Sequence, residues 1–259
     1  MYRTALTLLL LSLAFMTQPA TALHVDYVGS TLWTEVRDVK TDGNYAYCNF
    51  RNGLMVLDIS NPSIPSYHSQ IYLGGNDRKF NFYNDYIFVA NGDMGVEIID
   101  KSDPGNLTSV GVINTEYEVM DVHVFGDYAY ITTRWWEFGT SDLYDEVLIF
   151  NISNPMSPVY VASFKAWFDL PVKGIFVEND LAFITYGGTR TIEGYFISFG
   201  GVEVFDITNI NNPSMITDYF TYDDNYQDIY VDGNFAYVAH RNDGLIVFDA
   251  TYIPTIFVV

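Results

Sequence analysis

Three features of the sequence predict an all-β fold built as a β-propeller of five four-stranded blades. A phrase recurs: VLDISNPSIP begins at Val56, IFNISNPMSP at Ile149 and VFDITNINNPS at Val204, with looser copies IIDKSDPGNL at Ile98 and VFDATYIP at Val247. The strands around it, such as LMVLDI and AYVA, are apolar on both faces, the mark of strands buried on both sides of a sheet. The unit period is about 42 residues, and no helical period competes, which is the pattern of blades packed face to face around an axis.

Each unit justifies its four strands in order, labelled a to d from the inside outwards. DVKTDGNYAYCNF (Asp38 to Phe50) precedes the first phrase, KFNFYNDYIFVAN (Lys79 to Asn91) the second and DVHVFGDYAYITT (Asp121 to Thr133) the third. GIFVENDLAFITY (Gly174 to Tyr186) and DIYVDGNFAYVAH (Asp228 to His240) complete the set. Within each, a Gly-Asn, Asn-Asp or Gly-Asp pair separates two apolar runs, a hairpin signal because these residues tolerate positive φ. Strand c ends in the phrase, and a fourth β-rich run such as SYHSQIYL follows it.

The phrase reads as turn chemistry. An Asp or Asn at the end of strand c accepts hydrogen bonds from turn N–H groups, and a following Pro presets φ. The rival is a ring of calcium-binding carboxylates. It is weakened by Asn151 in the third copy and by the lack of a D-x-[DN]-x-[DN]-G loop. No cofactor and no metal ligand set is predicted.

The spacing locates what is special. From phrase to next strand b, Asp58 to Tyr86, Asp100 to Tyr128, Asn151 to Leu181 and Asp206 to Phe235 span 28, 28, 30 and 29 residues. From strand b to phrase the steps are 13, 14, 23, 25 and 14, so the added length lies between strands b and c of units three and four. These segments, Thr132 to Glu146 and Thr185 to Gly201, are expected to be enlarged loops.

These repeats carry a resemblance. D-V-x-V-x-G-x-Y-A-Y-V followed by G-L-x-V-x-D-I-S-N-P, clearest in GLMVLDISNP (Gly53 to Pro62) and GLIVFDA (Gly244 to Ala250), resembles the LVIVD repeat family of secreted and surface proteins of bacteria and archaea. The resemblance covers nearly all of the chain after its leader. It implies a β-propeller, and it implies no catalytic motif. It also implies that b–c and d–a loops share one face while a–b and c–d loops share the other.

Residues 1–22 read as a secretory signal peptide: Arg3, the apolar run Ala5 to Met16, then Ala20-Thr21-Ala22. Residues 23–259 then form the propeller domain. The apolar run is too short to span a bilayer, and no later segment offers about 18 uninterrupted apolar residues. The full chain carries a formal charge of −20; losing Arg3 makes it about −21. Such a surface disfavours nucleic acid and anionic lipid. Secreted, periplasmic or cell-surface placement follows.

Cys48 is the sole cysteine. Val89, Ile131, Ile184 and Val238 hold its place in the other units, so it reads as a core residue rather than a nucleophile. The ends leave two readings open. HVDYVGSTLWT (His24 to Thr34) resembles an orphan strand d that would close the ring, yet TIFVV (Thr255 to Val259) falls where the fifth unit's own strand d should begin. Either one strand is surplus, or the chain is the front of a longer propeller.

Function is expected on the b–c/d–a face, as a non-enzymatic scaffold binding a protein or glycan. The candidates are Arg134, Trp135, Trp136, Phe138, Tyr144, Tyr186, Arg190, Tyr195 and Phe196, joined by Trp167, Phe168, Tyr222 and Tyr226. Trp, Tyr and Arg dominate binding hot spots; packing of the long segments is the bland alternative. Asp38, Asp121 and Asp228 open strand a in units one, three and five, where Lys79 and Gly174 stand in the others. Converging acids could serve glycoside hydrolysis, against a plain role bonding turn backbone. A carbohydrate-active hydrolase and a purely structural surface module are the alternatives. No H-E-x-x-H, G-x-S-x-G or P-loop is present.

Overall fold

A computed structural model describes residues 36–76, 79–136, 143–166, 170–192, 195–222, 226–253 and 255–259, with the side chains of 135–136, 143–144, 190–192, 196 and 257 outside the description. The predicted leader and the segment His24 to Thr34 lie outside the described residues.

Five four-stranded antiparallel meanders account for the described chain, and no helix occurs among these residues. The first sheet is β1 (Val36–Asp42), β2 (Tyr45–Phe50), β3 (Gly53–Asp58) and β4 (Ser66–Tyr72). The second is β5 (Phe80–Tyr83), β6 (Tyr86–Ala90), β7 (Val96–Asp100) and β8 (Thr108–Ile113). The third is β9 (Glu118–Phe125), β10 (Tyr128–Trp136), β11 (Leu143–Asn151) and β12 (Val159–Lys165). The fourth is β13 (Val172–Glu178), β14 (Leu181–Ile192), β15 (Tyr195–Asp206) and β16 (Ser214–Thr221). The fifth is β17 (Tyr226–Asp232), β18 (Phe235–His240), β19 (Gly244–Tyr252) and β20 (Thr255–Val258). All five inner strands contribute to one axial cavity, so the sheets are the blades of a β-propeller.

The a–b turns follow from their residues. Gly43, Asn84, Gly126, Asn179 and Gly233 all take φ between +50° and +59°. Gly and Asn reach that region at low cost. The phrase does the expected turn work in every blade. Asp58 accepts from Ser60 N at 2.8 Å, Asp100 from Ser102 N at 2.8 Å and Asn151 from Ser153 N at 3.1 Å. Asp206 accepts from Thr208 N at 2.8 Å and Asp249 from Thr251 N at 2.8 Å. The next residue then ties the phrase to its own a–b turn: Ile59, Lys101, Ile152, Ile207 and Ala250 donate to the carbonyls of Asn44, Asp85, Asp127, Asp180 and Asn234. Hydrogen bonds to Ser60, Ser102, Thr208 and Thr251 hold the Asp58, Asp100, Asp206 and Asp249 carboxyls below their ordinary range.

The core lies between blades. Tyr47, Leu54 and Val56 meet Phe80, Ile87 and Ile99 across the first junction. Phe88, Val96 and Ile98 meet Val122 and Ile131 across the second, and similar clusters join blades three to four and four to five. Full burial of one such side chain contributes roughly 1.5–3 kcal/mol. Cys48 and its four counterparts are buried as expected, and burial pushes the Cys48 thiol up.

One sequence expectation changes. Among the described residues, the added length of units three and four is hydrogen-bonded ladder rather than irregular loop. The β14–β15 pairing runs unbroken from Leu181↔Asp206 to Ile192↔Tyr195, and β10–β11 from Tyr128↔Asn151 to Trp136↔Leu143. Thr, Ile, Tyr and Phe at the added positions favour extended pairing, and Thr189 Oγ1 meets Ser198 Oγ at 2.9 Å across the ladder. At the C-terminal end the segment Thr255 to Val259 falls where the sequence placed it. β20 pairs with β19 and takes the outer position of the fifth blade itself. Among the described residues the fifth blade's far face stays open, with Leu245 and Phe235 exposed, and the cluster on the matching side of blade one holds only that blade's residues.

Candidate binding site at the channel mouth

The axial channel has two parts, and a repeated backbone irregularity separates them. Val36 pairs with Phe50 and Asp38 with Asn49, so Arg37 is an extra residue on β1. Met120, Lys173 and Gln227 are extra in the same way on β9, β13 and β17. Each is a β-bulge, which bends the strand and re-aims a side chain. The four bulged residues Arg37, Met120, Lys173 and Gln227 all line one cavity at the d–a/b–c end of the channel. The matching residue in unit two is Arg78, outside the described residues.

Below the bulges lies the channel body, a cavity of about 380 Å³. Here Asp38, Asp121 and Asp228 occupy the positions read from the sequence. Lys79, from the unit that lacks an Asp, places Nζ 2.9 Å from Asp121 Oδ2 and 2.7 Å from Asp228 Oδ1. Burial works against the Lys79 charge, but Asp121 and Asp228 outweigh it and hold the ammonium above its usual range. Burial pushes the Asp121 carboxyl up, with Lys79 opposing.

The acids also serve backbone. Asp38 accepts from Phe80 N of the next blade at 3.2 Å, Asp121 from Val122 N at 2.8 Å and Asp228 from Ile229 N at 2.9 Å. Gly174 completes the pattern. A Cβ there would stand 2.8 Å from Asp228 Oδ1 and 2.9 Å from Asp228 Cα, so the fourth unit gives up a side chain to let Asp228 approach. His123 also faces this cavity, with Phe176 stacked at 4.6 Å. Burial lowers its pKa to about 4, leaving it neutral.

Above the bulges the mouth is a cavity of about 640 Å³ lined by Val36, Arg37, Asn76, Lys79, Met120, Arg134, Lys173, Gln227 and Arg241. Five of these nine are cationic, in a chain with only 12 Lys and Arg in all. None of these described lining residues is acidic. Arg37 Nη1 donates to Asn76 Oδ1 at 2.9 Å, fixing one guanidinium against the d–a loop. Arg134 Nε lies 3.5 Å from Asp145 Oδ2, yet Arg134 Nε and Nη2 and Asp145 Oδ1 are buried without hydrogen-bond partners. Asp145 is fully buried and accepts from Val172 N at 3.1 Å. Burial raises its pKa to about 6, opposed by Arg134.

The other predicted residues divide. Trp135, Trp136 and Tyr144 continue the β10–β11 ladder beyond Arg134, and Arg190, Tyr195 and Phe196 lie near the tip of β14–β15. Tyr195 is 73% exposed. Tyr186 is wholly buried, with no partner for its hydroxyl, so it belongs to the layer under the surface. Tyr226 is buried, whereas Tyr222 is exposed and stacks on Phe199 at 5.5 Å. Phe138, Trp167 and Phe168 lie outside the described residues. Sequence reasoning missed Arg37, Lys173 and Arg241. A signal existed: the residue before the strand-opening position is Arg37, Arg78, Met120, Lys173 and Gln227 along the five units.

The fold and this polar axial funnel define a five-bladed β-propeller. The LVIVD repeat model matches residues 35–71, 74–115, 118–166 and 225–250, more than half of the chain. The chain belongs to the LVIVD repeat family. No curated protein matches it. Solved structures share the fold at low identity. The computationally designed Ika8 protein superposes with a TM-score of 0.52 at 8% identity, covering 84% of this chain and 71% of that one. A functionally unknown protein from Desulfotomaculum acetoxidans DSM 771 gives 0.51 at 13% identity, covering 84% and 79%. The N-terminal domain of Nup159 gives 0.52 at 11% identity, covering 83% of this chain and 60% of that one, so the chain spans about three fifths of its length.

Proposed function

We propose that the protein is a non-enzymatic binding scaffold, exported from the cell or held at its surface, that engages a protein or glycan through the face bearing the channel mouth. One observation carries this reading. The two hairpins that depart from the repeat, β10–β11 and β14–β15, both extend on the face where the mouth opens. Exposed Tyr195, Tyr222 and Phe220 stand on the fourth blade at that end. Large aromatic surface beside a concave polar site suits a partner with both apolar and polar groups.

The hydrolase alternative has less support. Lys79 Nζ sits between Asp121 and Asp228, within 2.9 Å of both, and an ammonium clamped there opposes the proton exchange a glycosidase pair needs. The test is a glycan and protein binding screen on the purified chain, repeated with Tyr195→Ala/Tyr222→Ala and with Trp135→Ala and Trp136→Ala. The expected result is a partner bound by the parent protein and weakened at least tenfold by these changes at unchanged melting temperature. Unchanged affinity in all of them, or unfolding of each, would remove the reading.

A further inference from the structure

We propose that the lower half of the channel body, between Tyr230 and Lys40, is a slot for a neutral pyranose, taken as a free sugar or as the terminal residue of a glycan. The slot lies toward the a–b turns, away from the mouth, and does not rest on the reading of the loop face. Two positions beyond Asp38, Lys79, Asp121, Gly174 and Asp228, the inner strands place Lys40, Asn81, His123, Phe176 and Tyr230 on one cavity. Their register is common to all five blades. Each pairs across its sheet with an aromatic residue of strand b: Tyr47, Phe88, Tyr130, Phe183 and Tyr237 in turn.

Contacts run round this layer and stop at one gap. Asn81 Nδ2 meets His123 Nδ1 at 3.5 Å, His123 stacks on Phe176 at 4.6 Å, and Phe176 meets Tyr230 edge to face at 5.0 Å. From Tyr230 to Lys40 no hydrogen bond, ion pair or ring contact continues the chain among the described residues, and Tyr230 is 59% exposed. The gap carries complementary groups. Lys40 Nζ stands 3.7 Å from Asp38 Oδ2, beyond hydrogen-bond reach, so its N–H groups are offered to an acceptor. The bonds that Asp38 and Asp228 accept go to Asp38 Oδ2 and Asp228 Oδ1, which leaves Asp38 Oδ1 and Asp228 Oδ2 for a donor. The Asp228 side chain is half exposed. An anion here meets two carboxylates, and a cation meets the Lys40 ammonium. Sugar hydroxyls both donate and accept, so they satisfy both kinds of group. His123 is neutral and adds no second charge. The ring of Tyr230, braced by Phe176, takes the apolar C–H face of a pyranose, whose hydrogens are drawn to the negative face of the aromatic system. A cavity of about 380 Å³ is at the small end of ligand pockets and matches one sugar ring.

The test is calorimetric titration of the full chain with D-glucose, D-galactose and N-acetyl-D-glucosamine, each also as its methyl glycoside, and with phenylacetate as an aromatic anion. The expected result is one saturable site for at least one sugar, with an affinity that added salt leaves unchanged. Tyr230→Ala is expected to weaken it about fivefold or more. Tyr72→Ala, which removes another exposed tyrosine on outer strand β4, is expected to leave it within twofold. The imidazole NMR signals of His123, assigned by their loss in His123→Phe, are expected to shift at saturation. Equal affinity for sugar and glycoside identifies the end of a glycan, and loss of affinity in the glycoside a free sugar. If Tyr230→Ala does not fold, Lys40→Met decides, with the same loss expected. No sugar bound, equal loss in Tyr72→Ala, unmoved His123 signals, or phenylacetate bound where no sugar is would overturn the proposal. Sugar affinity lost in Tyr195→Ala/Tyr222→Ala and kept in Tyr230→Ala would overturn the slot and leave the loop face standing.

Discussion

The two halves of the axial channel use the same residue types to opposite ends. In the body, Lys79 is held by carboxylates of two other blades and Asp38 accepts Phe80 N of the next blade, so charge joins blades, while Asp121 and Asp228 also accept the N–H that follows them in their own strands. One residue higher, past the bulges, Arg37, Lys173 and Arg241 face a cavity with no described acid on its wall. The body carries ion pairs that cross from blade to blade, and the mouth carries side chains that the bulges re-aim.

Substitutions in the body test the first half of that contrast. Lys79→Met leaves Asp121 buried without its cation and should destabilise by about 3–5 kcal/mol; chemical denaturation measures it. Lys79→Met/Asp121→Asn should recover part of the loss, and no recovery would mean the ion pair is not the cause.

Acid titration separates two residues, His123 and Asp145, by the sign of their contribution. His123 in the body has a folded pKa of about 4 against an ordinary 6.5. The unfolded chain therefore binds a proton that the folded chain refuses, and stability falls as pH drops from about 6.5 to 4. The loss is on the order of 3 kcal/mol, and His123→Phe should abolish it. Asp145 under the mouth runs the other way. Its folded pKa of about 6 lies above the ordinary 3.8, so the folded chain binds the extra proton and stability rises as pH falls through that window. Asp145→Asn should remove that gain. Unfolding free energies measured from pH 7 to 4 for both variants separate the two contributions.

Smaller effects bear on the scaffold around the channel. Gly174→Ala forces a methyl against the Asp228 backbone and should cost about 2 kcal/mol, measured as a lower denaturation midpoint. Asn151→Ala removes the acceptor of Ser153 N and Oγ on the far face and should cost about 1 kcal/mol without changing any ligand affinity. A binding defect in Asn151→Ala would move the functional face to the phrase.

The repeat made the blades legible because each unit writes its turn residues and apolar runs in the same order. Gly43 and Asn84, or Cys48 and Val89, could be equated before any coordinates. The bulges were not legible in this way. A bulge is an offset between two strands, and the residues of β1 alone look the same whether Arg37 is paired or extra. The long hairpins were misread for a related reason: Gly187, Gly188 and Gly200 break an apolar pattern and suggest loop, while the ladder is held by backbone bonds that sequence does not display. The fourth unit, which falls between the matched family segments, is the one that carries the 12-residue strands β14 and β15. How blades five and one meet depends on packing across the ring and has no local signature.

The most direct test of the mouth-bearing face as the binding face is a crystal structure of the protein with the partner found in the binding screen. The proposed function predicts partner atoms within about 4 Å of Tyr195, Tyr222 or the residues around the mouth. Ligand at the opposite face, beside Asp58 and Ser60 or their counterparts, or a mouth left without ligand at saturating concentration, would contradict it.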